Sequence, residues 1–357
     1  MAMISFARGI PAPECLPVAD LADCARAVVE RDGTTVLSYG PSSGYRPLLE
    51  WLGERHGVDP ARIFATNGSL QGFVFLAQRL APGKRVLVER PTYDRPLKIL
   101  RELGAEIVPL ACDDEGLDPD ALEQELAAGD AAFLYLIPTF QNPSGRTLPL
   151  DRRRRVVELA DEHDLLVLED DPYGLVRFEG EELPSLFELS GGATAYSSSF
   201  SKTIAPGLRV GWFVLPEALA AEIAATATGT YITPVLLGQA TVYEFIERGL
   251  FEPNLERVRG LLGARRDAML AALDARLPEC ESSRPEGGYF VWLTADGLDS
   301  GELLGRAEQA GVTFVKGTDF GGGADSMRLA YSFVSPAEIA EGVDRLASAL
   351  LASPATA

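Results

Sequence analysis

Lysine is scarce in this chain. Of its 32 basic residues, four are lysines (Lys84, Lys98, Lys202 and Lys316) and 28 are arginines, so solvated positive charge is ordinarily left to arginine. Histidine is rarer still. His56 and His163 lie in polar contexts (ERHGV and DEHDL), expected at surface helix ends, which leaves little room for histidine catalysis. The four cysteines (Cys15, Cys24, Cys112, Cys280) are far apart, without CxxC or Cys/His spacing. That pattern argues against a metal centre or a disulfide framework and fits a reducing cytoplasm. No apolar run approaches the roughly 20 residues that span a bilayer. The opening MAMISFARGIPAPE lacks a basic region followed by an apolar stretch, so no secretory signal is expected. Positive charge is short overall: the net charge of −20 argues against a nucleic-acid surface. The one basic run, Arg152 to Arg155, precedes VVELADEHD and reads as the solvated first turn of a helix.

What is present is a regular alternation. RVLVER (85–90), AEIVPL (105–110), AAFLYLIP (131–138) and LLVLEDDP (165–172) read as buried strands. Between them LQGFVFLAQRLA (70–81), PLKILRELG (96–104) and DALEQELAA (120–128) read as helices. Such alternation predicts an α/β fold with a mainly parallel sheet, whose ligands sit beyond the carboxyl ends of the strands. ATAYSSSF (193–200) and LRVGWFVLP (208–216) are joined by too few residues for a parallel crossover, so they are expected as antiparallel neighbours. Past residue 235 long helical stretches lead to a second unit with strands in GGYFVWL (287–293), VTFVK (312–316) and SMRLAYSFV (326–334). The length of 357 residues suits one large domain and one smaller.

Several polar residues gather at the predicted ligand end. Tyr93 follows one strand, Asn142 another, Asp170 and Tyr173 a third, and Lys202 stands in the turn of the antiparallel pair. An amine at such a turn pairs with phosphate or forms a Schiff base with a carbonyl. Ser199, Ser201 and Arg209 add hydroxyl and guanidinium donors suited to a phosphate dianion. TNGSLQGF (66–73) is a small-residue turn opening a helix, where free N–H groups attract an anion. A carboxylate such as Asp170 at the end of an apolar strand is costly unless paired, and a pyridinium nitrogen is one such partner.

Seven segments, in order, resemble the class I/II aminotransferases among the fold-type I pyridoxal phosphate enzymes. They are YGPSSGYRPLLEWL (39–52), TNGSLQGF, RPTYDRP (90–96), PTFQNPSGRTLP (138–149), LEDDPYG (168–174), SSSFSKTIAPGLRVGW (197–212) and SMRLAYS (326–332). The chain is most similar to the aminoadipate/kynurenine aminotransferase-like subgroup. The resemblance implies a mainly parallel seven-stranded sheet with one antiparallel strand in the large domain, plus a smaller α+β domain. It implies an N-terminal arm over 1–34, packed on the small domain and a partner subunit, a cofactor domain over 35–245 and a small domain over 246–357. Pyridoxal 5′-phosphate would be the cofactor, with an α-amino acid and a 2-oxo acid as substrates and a cytoplasmic homodimer with shared active sites.

The same resemblance assigns roles. Lys202 would carry the cofactor and then serve as general base. Asp170 would pair with the ring nitrogen, Tyr173 and Asn142 would bond the ring's phenolic oxygen, and Tyr93 would stack on the ring. Gly68, Ser69, Leu70, Ser199, Ser201 and Arg209 would hold the phosphate, joined by Tyr39 of the neighbouring subunit. Arg328, with Asn142, would clamp the substrate carboxylate.

Three positions depart from the subgroup. ARGIP puts Arg8 where a small glycine usually lines the substrate pocket, FVKG puts Lys316 in place of a proline, and Leu70 replaces a polar residue in the phosphate loop. Arg8, with Lys316, is therefore a candidate for a second anionic group on the substrate. Elimination, cyclisation or C–C bond formation on the same cofactor needs the same lysine, aspartate and arginine, so these motifs leave that reaction class open beside transamination. A regulator carrying this domain behind a DNA-binding winged helix fits poorly with the acidity and with a chain that begins almost directly at the arm.

Overall fold

A computed structural model describes residues 2–351; Met1 and residues 352–357, the outer ends of the expected arm and small domain, lie outside the described residues. The chain opens with β1 (Ile4–Ser5), α1 (Val18–Val36) and α2 (Arg46–His56), then β2 (Ile63–Thr66) and α3 (Ser69–Leu80). β3 (Arg85–Arg90), α4 (Asp94–Glu102), β4 (Glu106–Asp113), β5 (Gly116–Leu117), α5 (Pro119–Ala128) and β6 (Phe133–Leu136) follow. Next come α6 (Leu150–Glu162), β7 (Val167–Asp170), α7 (Leu186–Leu189), β8 (Ala195–Ser199) and β9 (Gly211–Val214). Three helices, α8 (Glu217–Tyr231), α9 (Leu236–Glu247) and α10 (Phe251–Arg276), lead to the last part. It contains β10 (Glu281–Ser282), β11 (Phe290–Thr294), α11 (Ser300–Gln309), β12 (Val312–Thr313), β13 (Val315–Lys316), β14 (Ser326–Ala330) and α12 (Pro336–Leu351). None of the described helices is long and apolar enough to cross a membrane.

Strands covered on both faces need consecutive apolar residues, and β3 supplies them: Val86, Leu87 and Val88 are all buried. Toward the sheet edge the requirement relaxes, and β4 tolerates Pro109, which lies opposite Val88 of β3 and short of the Cys112–Asp113 pairing with β5. The order is β2-β9-β8-β7-β6-β3-β4-β5. Strands β8, β7, β6, β3 and β4 run parallel, and β9 is antiparallel to both β8 and β2. The described sheet is thus the expected seven strands with one reversed, extended by the two-residue β5. Because β3, β6, β7 and β8 point the same way, the segments after them emerge along one edge.

A second, antiparallel sheet has the order β10-β11-β14-β13. The stretch VTFVK divides rather than forming one strand: β12 pairs in parallel with the N-terminal β1, whereas β13 joins β14. The expected arm divides as well. Ile4, Phe6, Ala12 and Cys15 pack into the core of the C-terminal sheet and α10. Cys24, Val28 and Val36 of α1 pack instead with α2, β9 and α9.

Two readings of polar residues are corrected by burial. Arg153 is not solvated: 1 % exposed, it donates from Nε to the Leu148 carbonyl (2.8 Å) and from Nη2 to Pro138 O (2.9 Å) and Thr139 Oγ1 (2.8 Å). It lies on the inward face of α6, where its donors tie down both ends of the segment that carries Asn142. His56 ends α2 as expected but turns inward, its Nε2 accepting from the Trp212 indole at 3.1 Å beside Phe187 and Tyr196. Burial, with a smaller push from Arg55, lowers its pKa from 6.5 to about 4. A site that holds imidazole neutral contributes its full stability above the unfolded pKa and loses it as the pH falls through the folded one. Unfolding of His56→Gln followed against pH should therefore show the variant gaining about 3 kcal/mol on the parent between pH 7 and pH 4. A difference that does not change with pH would contradict a buried neutral imidazole.

Candidate active site

The segments beyond β3, β6, β7 and β8 enclose a cavity of about 350 Å³, closed on the far side by residues of the arm and of β11 and β14. Tyr93, Asn142, Asp170, Tyr173, Ser199, Ser201, Lys202, Arg209 and Arg328 line it together with Ser69 and Leu70. Gly68 stands directly before them as the N-cap of α3.

Lys202 lies just past β8. Its Nζ donates to the Gly9 carbonyl at 2.9 Å and sits 5.1 Å from the centre of the Tyr289 ring and 5.8 Å from that of Tyr173. Burial, then the positive charges of Arg328 and Arg209, lower its pKa from 10.5 to about 8. The opposite charge sits across the cavity at the end of β7. Asp170 Oδ2 accepts from the Tyr135 hydroxyl at 2.7 Å, while the buried Oδ1 has no hydrogen-bond partner among the described residues. Burial raises the Asp170 pKa to about 6, against the pull of the Tyr135 hydrogen bond and the neighbouring Ser197 hydroxyl.

Arg328, on β14, is 8 % exposed. Its Nη1 donates to Asn142 Oδ1 at 2.9 Å and Nη2 to the Ala7 carbonyl at 3.0 Å; Nε has no partner among the described residues. The guanidinium lies 4.3 Å from the Phe290 ring centre and 4.8 Å from that of Phe320. No carboxylate of the described residues lies within ion-pair distance, and burial lowers its pKa to about 10.

At the other end of the cavity α3 begins without a side-chain cap. Gly68, at φ +90°, takes the N-cap position, and the amides of Ser69 and Leu70 are first-turn donors. A Cβ on Gly68 would fall 2.1 Å from Arg209 Nη2, so the glycine lets the guanidinium close on the turn. Arg209, itself left-handed at φ 54°, donates to Pro206 O (3.1 Å) and Asn67 O (3.2 Å). The Ser199 hydroxyl accepts from the Ser201 amide at 3.1 Å and lies 2.8 Å from Ser201 Oγ and 3.1 Å from the Val210 carbonyl. It is held within the turn, while Ser201 Oγ is its outward neighbour.

Three residues singled out in the sequence lie elsewhere. Tyr39 is 81 % exposed on the surface. Arg8 is exposed, with its guanidinium 5.2 Å from the Phe333 ring centre, and does not line the cavity within one chain. The peptide turns outward at Arg8, and it is Gly9 that faces Lys202. Lys316 is likewise outside, 3.4 Å from Asp319. Conversely, Gly9, Tyr135, Ser197 and Phe290 border the cavity without having been singled out. A Cβ on Gly9 would fall 2.7 Å from the Phe290 ring, which fixes glycine where the arm crosses the site. The signal for Tyr135 was a hydroxyl inside the otherwise apolar strand FLYL, and for Ser197 its place in a run of three serines.

These residues fit pyridoxal phosphate. A buried carboxylate oxygen lacks a donor, a lysine amine with lowered pKa stands opposite, and an uncapped helix start with a nearby guanidinium offers an anion site.

Residues 6–346 match the family model described as aminotransferase class I and II. The 2-aminoadipate transaminase of Thermus thermophilus is 40 % identical over 98 % of this chain and 90 % of its own. The structure of the alpha-aminoadipate aminotransferase LysN from Thermus thermophilus, complexed with N-(5′-phosphopyridoxyl)-L-leucine, superposes with a TM-score of 0.93. It shares 38 % identity and covers 98 % of this chain and 92 % of that one. Kynurenine aminotransferase of Pyrococcus horikoshii gives a TM-score of 0.93 at 35 % identity, covering 98 % and 91 %.

The electrostatics of Lys202 can be read without turnover. Trace labelling of amines in the cofactor-free protein, mapped by mass spectrometry against pH, should give Lys202 a midpoint near 8. Arg328→Met should move that midpoint upward by removing a neighbouring positive charge. A midpoint at the ordinary lysine value in the parent would contradict this environment.

Proposed function

The chain belongs to the class I and II aminotransferases, and from that premise we propose how its residues divide the transfer of an amino group from an α-amino acid to a 2-oxo acid. It is a pyridoxal phosphate-dependent transferase. When bound, the cofactor supplies an electron-withdrawing ring that stabilises negative charge at the substrate α-carbon.

The observation that supports this division most strongly is Arg328: a buried guanidinium with no carboxylate of the described residues within ion-pair distance, in the same cavity as Lys202. A buried cation left unpaired is costly, and a substrate carboxylate removes that cost through a two-pronged contact. Asn142, bonded to Nη1, orients the fork. Lys202 is the amine that holds the cofactor and, once released, takes the proton from the substrate α-carbon and returns it. Its lowered pKa leaves a useful fraction of free amine near neutral pH.

Asp170 would pair with the ring nitrogen and favour its protonated form, while Tyr173 and Asn142 would serve the phenolic oxygen and Tyr93 the ring face. The phosphate would be held by the Ser69 and Leu70 amides at the Gly68 turn, by Ser201 and by Arg209. Ser199 acts here mainly by orienting Ser201.

The enzyme is read as a homodimer. Tyr39 does not line the cavity of its own chain, and its exposure, with that of Val18, Leu37, Ile232 and Val235, suits a surface covered by a second subunit whose phosphate site Tyr39 reaches. Residues 35–245 act as the cofactor domain and those from 246 onward, with the first part of the arm, as the small domain. Four free cysteines suit the cytoplasm. Relatives named for 2-aminoadipate and kynurenine favour a donor with a long side chain. Transamination, rather than elimination or C–C bond formation, is the activity their names share.

A spectral titration of holoenzyme with single amino acids tests the reading. A long-chain donor alone should convert the cofactor to its amine form with one equivalent of 2-oxo acid released. Arg328→Met should raise the donor concentration needed by roughly a hundredfold, the scale of a lost charge-assisted pair. Release of ammonia, or return to the starting spectrum without oxo acid, would contradict transamination.

A further inference from the structure

The carboxylate of Asp170 has two oxygens, and the structure treats them differently. Oδ1 is buried without a partner among the described residues, whereas Oδ2 accepts from the Tyr135 hydroxyl at 2.7 Å. Tyr135 belongs to β6, next to β7. Its register partner is Leu168, so it lies on the same face as Asp170, one diagonal step away. On the other side β8 places Ser197 directly opposite Asp170. The carboxylate is therefore flanked by hydroxyls from both neighbouring strands.

The Tyr135 ring is fixed in turn. It is 1 % exposed and meets Phe73 of α3 edge-on, with ring centres 5.3 Å apart. α3 is the helix whose start forms the phosphate cradle. Burial and the nearby Asp170 hold the phenol far above its ordinary pKa, so its proton stays in place as a donor.

We propose that Tyr135 is a positioning residue for the cofactor's ring nitrogen: by donating to Oδ2 it turns Oδ1 of Asp170 toward the cavity and keeps the carboxylate ionised there. A hydrogen bond to the charged form of an acid favours that form, and Asp170 needs the support because burial works against its charge. Without the phenol hydroxyl, the carboxyl loses its one side-chain hydrogen bond among the described residues, moves toward its neutral form, and can turn either oxygen to the ring. The inference rests on the assignment of Asp170 to the ring nitrogen, and its test separates the two.

Holoenzymes of the parent, Tyr135→Phe and Asp170→Asn are prepared with pyridoxal phosphate and with its analogue in which ring carbon replaces the nitrogen. Cofactor dissociation constants are then read by fluorescence on dilution. Tyr135→Phe should weaken pyridoxal phosphate about tenfold, the scale of one charge-assisted hydrogen bond, and change the carbon analogue less than about twofold. Each comparison is made within one variant, so a general loss of stability cancels. If Asp170→Asn discriminates between the two cofactors but Tyr135→Phe weakens both equally, or neither, Tyr135 only packs and the proposal is overturned. If Asp170→Asn also fails to discriminate, the assignment of Asp170 falls and the proposal with it.

Discussion

Three ionisable side chains converge on one buried cavity, and none finds an opposite charge at ion-pair distance among the described residues. Lys202, Arg328 and Asp170 are kept out of water by the sheet edge, the arm and the C-terminal sheet, and each shows it in its pKa. Burying a charge without its counterpart costs stability, so such an arrangement persists where a ligand supplies what is missing. In the proposed division of roles, an aldehyde-bearing cofactor would answer the amine, a ring nitrogen the aspartate, and a substrate carboxylate the guanidinium. The fold exists to hold those three apart and facing inward.

How it does so follows from topology. Parallel strands β6 and β7 deliver Asn142 and Asp170 to one edge, and the tight reversal from β8 into β9 places Lys202 and Arg209 at the same edge only seven residues apart. Arg328 arrives from a different sheet altogether. The arm joins the two halves: Ala7 and Gly9 give their carbonyls to Arg328 and Lys202, while β1 pairs with β12. Those carbonyls accept from the same donors that the proposed cofactor and substrate would use, so in that reading the arm and the ligands would share two cations.

Much of this was legible in the sequence, for identifiable reasons. Apolar runs such as RVLVER mark strands buried on both faces, and the short link between ATAYSSSF and LRVGWFVLP allowed only an antiparallel pair. Lys202 could be noticed because lysine is so rare in the chain. What was not legible depends on contacts distant in sequence. Arg153 looked solvated among its arginine neighbours, and only the return of residues 138–148 buries it. His56 looked like a surface helix end until Trp212 closed over it. Tyr135 read as one more strand residue, because its partner is 35 positions away. Arg8 drew attention through its charge, yet the backbone gives the inward position to Gly9, which has no side chain to announce itself.

The central claim is that the amine of Lys202, rather than that of Lys84, Lys98 or Lys316, is the one joined to the cofactor. Borohydride reduction of the holoenzyme followed by peptide mapping tests it most directly. The pyridoxyl label is predicted on the peptide containing Lys202, in about one equivalent per chain, and to vanish in Lys202→Ala. A label on another lysine, or none at position 202, would contradict the account.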